Sequence, residues 1–236
     1  MNLTGSVALV TGANRGLGAR LVSELLRAGA AKVYATSRTG RTGGPEDPRV
    51  QPLVLDVTDP DSVTAAAQAA PDVTVLVNNA GVLAFGSALD GDLADFERDL
   101  HTNYLGTLRV TRAFAPALEH NAPASVVNVL TLIALAPVGL MAGYSASKAA
   151  AHSITQALRA ELRPRGITVL GAYPGGIDTD MLAGVEAEKA PPHLVASRIV
   201  SALAAGEPVV FPDDASAAAS AVYLTDPLRL EQMLTG

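Results

Sequence analysis

The amino-acid sequence predicts an α/β fold: a doubly wound, mostly parallel sheet of about seven strands with helices on both faces. Short apolar, β-branched runs alternate along the chain with longer amphipathic or Ala-rich segments, as strands alternate with helices. The runs are continuously apolar, which is typical of strands covered on both faces of a parallel sheet. A chain of 236 residues without cysteine can bury such a core without disulfides. We therefore predict a single domain over residues 1–236.

The elements follow in chain order, each from its own local pattern. Apolar runs predict strands over residues 7–10, 32–37, 50–55, 73–77, 125–129, 167–172 and 209–211. Helical periodicity and Ala-rich composition predict helices over residues 19–28, 59–70, 93–120, 144–163 and 193–205, and a mostly helical tail. Residues 38–48, rich in Gly, Pro, Thr and Arg, predict a loop where a helix normally follows the second strand. The helix over residues 93–120 is expected to bend near Asn103.

A glycine-rich turn joins the first strand to the first helix. Gly12, Gly16 and Gly18 allow a tight turn and the close approach of a ligand to the backbone. The start of the helix offers free N–H groups and partial positive charge, which suit a pyrophosphate. The spacing departs from the Gly-x-Gly-x-x-Gly dinucleotide fingerprint, however. Taken alone, the turn fits either a phosphate-binding site or a simple structural turn.

A second candidate site is the pair Tyr144 and Lys148. Residues four apart share one face of a helix, so the phenol and the ammonium are expected to lie close together. Taken alone, the pair also fits a tyrosine at the edge of the core beside a solvated lysine. The other polar and glycine clusters follow the ends of predicted strands, where a doubly wound sheet binds its ligands.

The order and spacing of these motifs resemble the short-chain dehydrogenase/reductase family. The resemblance runs over about residues 7–181 and rests on the glycine turn, Asn78-Asn79-Ala80-Gly81, Asn103, Tyr144 with Lys148, and Pro174-Gly175. It implies a Rossmann-like fold. It also implies hydride transfer between a nicotinamide cofactor and a small-molecule carbonyl or alcohol substrate.

The resemblance further implies the role of each catalytic residue. Tyr144 would be the acid/base, and Lys148 would bond the nicotinamide ribose. An ammonium about 5 Å from the phenol is expected to lower its pKa by about 2 units. Asn103 would hold a water that links Lys148 to solvent. Thr131 stands where the family usually has serine, and its hydroxyl is still able to bond the substrate oxygen.

The cofactor site is likewise implied by the resemblance, with Asp56 beside the adenine and Ile177 and Thr179 near the carboxamide. Its residues are Gly12, Asn14, Arg15, Gly16, Leu17, Gly18, Arg38, Asp56, Val57, Asn79, Ala80, Gly81, Tyr144, Lys148, Pro174, Gly175, Ile177 and Thr179. The second predicted strand ends without the acidic residue that an NAD site uses on the ribose 2′-hydroxyl. Arg38 follows that strand and Arg15 lies in the glycine turn, which favours the 2′-phosphate of NADPH. The alternative for each arginine is a solvated surface charge.

The substrate is expected to be a hydrophobic ketone or aldehyde, because apolar residues follow the strand ends. These are Leu83, Ala84, Phe85, Leu132, Ile133, Val138, Leu140 and Met181. The substrate loop and tail, about residues 175–236, are expected to cover the active site. The alternative function is a catalytically silent NADP(H)-binding regulatory protein. The presence of Tyr144, Lys148 and Asn103 favours the enzyme.

Charge and hydropathy exclude several other classes of protein. A net charge of −6 without a run of Lys or Arg argues against nucleic acid as a partner. The longest apolar stretch, residues 126–143, contains Asn128, Thr131 and Pro137 and is not a membrane span. No signal peptide is recognisable, so we expect a cytoplasmic protein. The four histidines have no ligand spacing, so no metal is expected.

The resemblance also implies an oligomer. The family commonly pairs through two long helices, here residues 93–120 and 144–163, so a homodimer is expected. The tail lacks the family's usual Asp-Gly-Gly strand region, which leaves the second interface of a tetramer open.

Overall fold

The computed structural model describes residues 1–235 and contains one seven-stranded sheet. The strands are β1 (Val7–Val10), β2 (Lys32–Ser37), β3 (Val50–Val54), β4 (Val75–Asn78), β5 (Ala124–Val129), β6 (Ile167–Ala172) and β7 (Val209–Val210). They lie in the order β3-β2-β1-β4-β5-β6-β7, and every neighbouring pair is parallel. The predicted fold class is confirmed, and the observed sheet is parallel throughout.

Helices cover both faces of this sheet. They are α1 (Gly16–Arg27), α2 (Pro60–Ala69), α3 (Leu93–Leu100), α4 (Thr107–His120), α5 (Ala142–Leu162), α6 (Pro192–Ala205), α7 (Asp214–Thr225) and α8 (Pro227–Thr235). One core lies between the sheet and helices α1 and α6, and includes Leu21 and Ile199. The other lies against α2, α4 and α5, and includes Leu76 and Phe114. The chain from β2 to β3 contains no helix, as predicted.

The predicted bend near Asn103 is a π-helical turn, His101–Gly106, between α3 and α4. A π turn widens the helix locally and interrupts the regular i→i−4 hydrogen bonds. Gly106 lies in this turn, and a Cβ atom there would be 2.8 Å from Val57 Cγ2. The turn therefore packs tightly against the segment that follows β3.

The chain reverses its winding direction at β1, which lies between β2 and β4. In open parallel sheets, ligands bind in the crevice at such a switch point, outside the carboxyl ends of the strands. The glycine turn after β1 and the Asn78-Asn79-Ala80-Gly81 segment meet at this place. Among residues 1–235, no helix combines the length and the apolar character that crossing a bilayer requires.

The tail is tied to the loop after β6 by Asp213. Its carboxylate caps α7 by accepting from the backbone N–H of Ser216 at 2.8 Å, while Oδ2 accepts from the N–H of Gly175 at 2.8 Å. The tail also packs against the chain that follows β5, where Leu132 and Leu230 share a small core. Asp213 is almost fully buried, so these N–H groups depend on it for their hydrogen bonds.

Asp213→Ala is expected to lower the free energy of unfolding by about 2–4 kcal/mol. Loss of the helix cap accounts for about 1 kcal/mol, and an unpaired buried N–H at Gly175 for about 1–3 kcal/mol. The matched control is Asp214→Ala, because Asp214 is 90% exposed and forms an ion pair with Arg198 at the surface. It should cost less than about 1 kcal/mol. Equal losses for the two variants in urea denaturation would contradict the anchoring role.

Candidate active site

The glycine turn is closed by direct contact between backbone segments. Gly12 and Gly16 have φ values of 66° and 55°, which favour glycine. A Cβ atom on Gly18 would overlap the carbonyl oxygen of Gly12. Among the described residues, no side chain caps the amino terminus of α1, and its first turn contains no acidic residue. The positive end of the helix macrodipole is therefore left for an anionic ligand, and the turn fits a pyrophosphate.

Thr11 and Asn79 hold this turn against β4. The Thr11 hydroxyl oxygen accepts from the N–H groups of Asn79 and Ala80, both at 2.9 Å. The Asn79 amide donates to the carbonyl oxygens of Thr11, at 2.9 Å, and Gly12, at 3.3 Å. The Asn79 side chain thus braces the turn. Sequence reasoning assigned no role to Thr11, although it directly precedes the first glycine.

Arg38, Asp56 and Val57 lie together on the β2–β3 side of the turn. Asp56 Oδ1 accepts from the N–H and the hydroxyl of Thr58, at 2.9 and 2.7 Å. Burial alone would raise the pKa of Asp56, but the Thr58 hydrogen bonds and the nearby charges of Arg38 and Arg109 bring it below its ordinary value. Asp56 is therefore a carboxylate at neutral pH, and the Arg38 side chain is exposed beside it.

The loop after β6 closes the other side of the crevice. Thr179 contacts Gly16, since a Cβ atom there would be 3.3 Å from Thr179 Cγ2. Arg15 Nη1 lies 3.2 Å from Asp180 Oδ2, and the two side chains are 70% and 74% exposed. Arg15, which the sequence assigned to the cofactor, is thus paired within the chain. Such an exposed pair is weak and is readily exchanged for a phosphate.

The start of the loop after β6, residues 174–177, is held mainly through its backbone. The carbonyl oxygen of Pro174 accepts from the N–H of Leu132 at 2.8 Å, and Gly175 is held by Asp213. Ile177 packs against the core between the sheet and α1. At the opposite side of the crevice, Asn14 is exposed, and Gly43 lies close against its carbonyl oxygen. Leu17 is buried in the first turn of α1.

Tyr144 and Lys148 lie in the first turns of α5, with 9% and 5% of their surface exposed. Lys148 Nζ donates to the carbonyl oxygen of Val129, at the end of β5, at 2.9 Å. It lies 5.8 Å from the centroid of the Tyr144 ring. Burial lowers the pKa of Lys148 to about 8, against the opposing effect of the Asp99 carboxylate. The lysine is therefore mostly protonated at pH 7.

The pKa of Tyr144 moves in the opposite direction to the one expected from the sequence. Burial, followed by the negative charge of Asp99, raises it well above its ordinary value. The expected lowering by Lys148 was wrong, because a sequence carries no measure of burial. Removal of the phenol from water disfavours tyrosinate more than the neighbouring lysine favours it. Tyr144 is thus a fully protonated phenol over the physiological range.

Thr131 and Asn103 lie near this pair, each with its polar atoms engaged. The Thr131 hydroxyl is 3.3 Å from the carbonyl oxygen of Pro174, a long hydrogen bond. The Asn103 amide donates to the Val82 carbonyl and to the Ser147 hydroxyl, and accepts from the Val82 N–H, all at 2.9 Å. Both of its N–H groups are used, so only one oxygen lone pair is left to hold the expected water. A Cβ atom on Gly81 would be 3.0 Å from Asn103 Oδ1, so this position leaves little room for a side chain.

The predicted apolar residues divide into two groups. Phe85, Leu140 and Met181 are exposed, and Leu83, Ala84, Ile133 and Val138 are half-buried. The expectation for Leu132 was wrong: it is buried against Leu230 of the tail. The 3₁₀ turn Leu132–Ala134 sets its direction, and sequence periodicity does not reveal such a turn. Among the described residues, no group of three or more His, Cys, Asp or Glu side chains is arranged to hold a metal ion.

Sequence reasoning missed Asp99, a fully buried carboxylate on α3. Its Oδ2 accepts from the N–H of Ala84 at 3.1 Å. Oδ1 has no hydrogen-bond partner among the described residues. Asp99 precedes Asn103 by four residues, so helical spacing already placed the two on one face.

Known proteins share this fold and about a third of this sequence. Residues 6–190 match the family model described as short chain dehydrogenase. The chain is similar to a short chain dehydrogenase from Burkholderia cenocepacia J2315, solved in complex with NADP, with 38% identity, a TM-score of 0.95 and 100% of each chain covered. It is 32% identical over 200 residues to the short chain dehydrogenase pigC of Monascus ruber, covering 78% of this chain and 66% of that protein. It is 32% identical over 197 residues to the 3-oxoacyl-(acyl-carrier-protein) reductase FabG of Vibrio cholerae serotype O1, covering 80% of each. The chain thus spans about two thirds of the Monascus protein.

Proposed function

Because the chain belongs to the short-chain dehydrogenase/reductase family, we propose that it is an NADPH-dependent oxidoreductase acting on a hydrophobic ketone or aldehyde and the corresponding alcohol. The observation that carries this proposal is the position of Tyr144 and Lys148 next to the end of β5, in the same crevice as an uncapped glycine turn. The similar enzymes of Vibrio and Burkholderia, a 3-oxoacyl reductase and an NADP-bound dehydrogenase, support the reaction class.

In the proposed reaction the bound nicotinamide supplies the hydride, and this chain supplies the proton. The Tyr144 phenol, protonated at neutral pH, donates its proton to the carbonyl oxygen as the hydride adds to the carbonyl carbon. The Lys148 ammonium stabilises the tyrosinate that forms, because it lies near the ring and is mostly protonated at pH 7. The Thr131 hydroxyl turns from Pro174 to hold the substrate oxygen. Asn103 keeps α5 and the Val82 segment in register.

In the proposed site, the cofactor would bind in the crevice at the carboxyl ends of the strands. The glycine turn would hold the pyrophosphate, Asp56 and Val57 would flank the adenine, and Pro174 to Thr179 would contact the carboxamide. The described part of the predicted cover, residues 175–235, would lie over the substrate, and Asp213 fixes the tail to this loop. The apolar side chains of Phe85, Leu140 and Met181, all exposed, would form the rim that admits a hydrophobic substrate.

The test of this function is NADPH oxidation with a panel of hydrophobic ketones and aldehydes. The unaltered protein should turn over at least one of them. Tyr144→Phe removes only the acidic hydroxyl and should lower kcat about 100- to 10,000-fold. Absence of turnover with every carbonyl, together with tight NADPH binding, would instead identify a cofactor-binding regulatory protein.

Thr131 provides the matched pair of variants for the same assay. Thr131→Ser keeps the donor and should stay within about tenfold of the unaltered rate. Thr131→Val keeps the shape and loses the donor, which in other oxyanion sites lowers turnover about 100- to 1000-fold. NADPH affinity should be unchanged in both. Near-normal turnover of Thr131→Val would show that Tyr144 alone holds the substrate oxygen.

Cofactor preference is expected to depend on Arg38, which is exposed at the end of β2 near Asp56. Arg38→Asp should weaken NADPH binding and spare NADH, because only NADPH has a 2′-phosphate for the guanidinium to bind. The control is Arg163→Asp, an exposed arginine between the end of α5 and β6, which lies four strands away from β2 in the sheet. Binding titrations that give equal affinity for both cofactors in the unaltered protein would refute the preference.

We also propose a homodimer in which α5 packs against its copy. The exposed face of α5 carries small residues at helical spacing, among them Ala146, Ala149, Ser153, Ala157 and Ala160. Small side chains let two helices approach closely, and an isologous pair buries the same stripe on both chains. Sedimentation at micromolar concentration should give a particle about twice the chain mass of 24.1 kDa. A monomeric particle would exclude this assembly.

A further inference from the structure

One face of α3 and the π-helical turn lies against the start of α5, on both sides of Tyr144. Phe96 packs against Gly143, where a Cβ atom would be 3.0 Å from the ring. Asn103 donates to the Ser147 hydroxyl at 2.9 Å. Asp99 lies between Phe96 and Asn103 at helical spacing, so it faces the turn of α5 that carries Tyr144.

Asp99 is placed where a carboxylate is costly. The residue has no exposed surface, and only one of its oxygens accepts a hydrogen bond, from the N–H of Ala84. The other oxygen has no partner in the described part of the chain. A buried carboxylate that is half satisfied needs compensation from a nearby charge. Asp99 therefore interacts mainly with charges at longer range.

Few charged groups face Asp99. On its own helix, Arg98 Nη2 lies 3.9 Å away, but Arg98 is half-exposed and binds Asp95 at 2.7 Å. On α5, the neighbouring titratable groups are Lys148 and Tyr144. The loop of residues 80–86 contributes no titratable side chain. Burial raises the pKa of Asp99, and the positive charges of Arg98 and then Lys148 oppose that rise, while Asp95 adds to it. Arg98 is paired with Asp95 and half-exposed, so Lys148 is the buried counter-charge of Asp99.

We propose that Asp99 is a positioning residue that keeps both Tyr144 and Lys148 protonated, so that the pair is ready to donate a proton to a carbonyl. The inference rests on the proposed function, and it concerns a residue that does not itself contact the substrate. An ionised Asp99 favours the Lys148 ammonium and disfavours tyrosinate, since a negative charge attracts the first and repels the second. The burial that lowers the pKa of Lys148 to about 8 is thereby partly offset.

Asp99→Asn isolates this charge. The amide keeps an oxygen for the Ala84 N–H and nearly the same volume, but it has no negative charge. The chain contains only three lysines, Lys32, Lys148 and Lys189, so the ¹³Cε signal of Lys148 is readily followed by NMR as pH rises. We expect its titration midpoint to fall by about one pH unit in Asp99→Asn. This titration of Lys148 is measured without substrate and does not depend on enzymatic activity.

The control is Glu97→Gln, which removes a carboxylate from the exposed side of the same helix. It should leave the Lys148 midpoint unchanged. In the carbonyl-reduction assay, the alkaline fall of kcat/KM should move to lower pH by about one unit in Asp99→Asn, because the Lys148 ammonium, the first of the pair to lose a proton, then loses it more easily. A reduced rate with an unchanged pH profile would indicate a purely structural role and overturn the inference.

A reciprocal measurement covers the case in which Asp99→Asn does not fold. Coupling between two titrating groups acts equally in both directions. Lys148→Met should therefore raise the midpoint of the Asp99 carboxyl ¹³C signal by about one unit. An unchanged midpoint would overturn the proposal. Absence of carbonyl reduction with these shifts present would refute the proposed function and leave the electrostatic coupling intact.

Discussion

The close approach of Gly18 to the carbonyl oxygen of Gly12 is the constraint on which the rest of the site depends. Because Gly18 has no Cβ atom, the first turn of α1 packs directly against Gly12, and the positive end of the helix lies at the carboxyl end of β1. The same turn brings Thr11 beside Asn79, and their four hydrogen bonds join the ends of β1 and β4. The crevice is therefore held by the backbone contact at Gly12 and by hydrogen bonds from the Thr11 and Asn79 side chains to backbone atoms.

The second organising feature is the packing of α3 and the π-helical turn on α5. A regular helix through residues 101–106 would continue the i→i−4 hydrogen bonds, which the π turn interrupts. Asn103 lies in this turn, and its side-chain amide donates to the Val82 carbonyl and the Ser147 hydroxyl. The buried ends of both elements then bring Asp99, Lys148 and Tyr144 into one region of low dielectric. Charges interact over longer distances there than at the surface, so protonation of each group depends on the other two.

Much of the fold was predictable because each buried strand is a continuous apolar run. The fold class was confirmed, and β1, β2 and β6 have their predicted bounds. The start of α1 was missed by three residues, because Gly16 and Gly18 are poor helix formers that tertiary contacts hold in a helix. The pairing of Tyr144 with Lys148 could be predicted from their spacing. Three features could not be predicted, because they depend on which surfaces the folded chain buries: the pKa of Tyr144, the burial of the Leu132 side chain against the tail, and the buried position of Asp99.

The hydrogen bond between Asp213 and Gly175 constrains a few residues of the tail and leaves the others free to vary. The carboxylate binds a backbone N–H, and its helix cap needs only Ser216 three residues later. Neither bond depends on the identity of the side chains elsewhere in α7 and α8. The tail, which lies beyond the matched residues 6–190, is thus held by one backbone anchor and by the apolar contact of Leu230 with Leu132. Substitutions in the tail outside these two contacts would leave the anchor, and with it the loop after β6, unchanged.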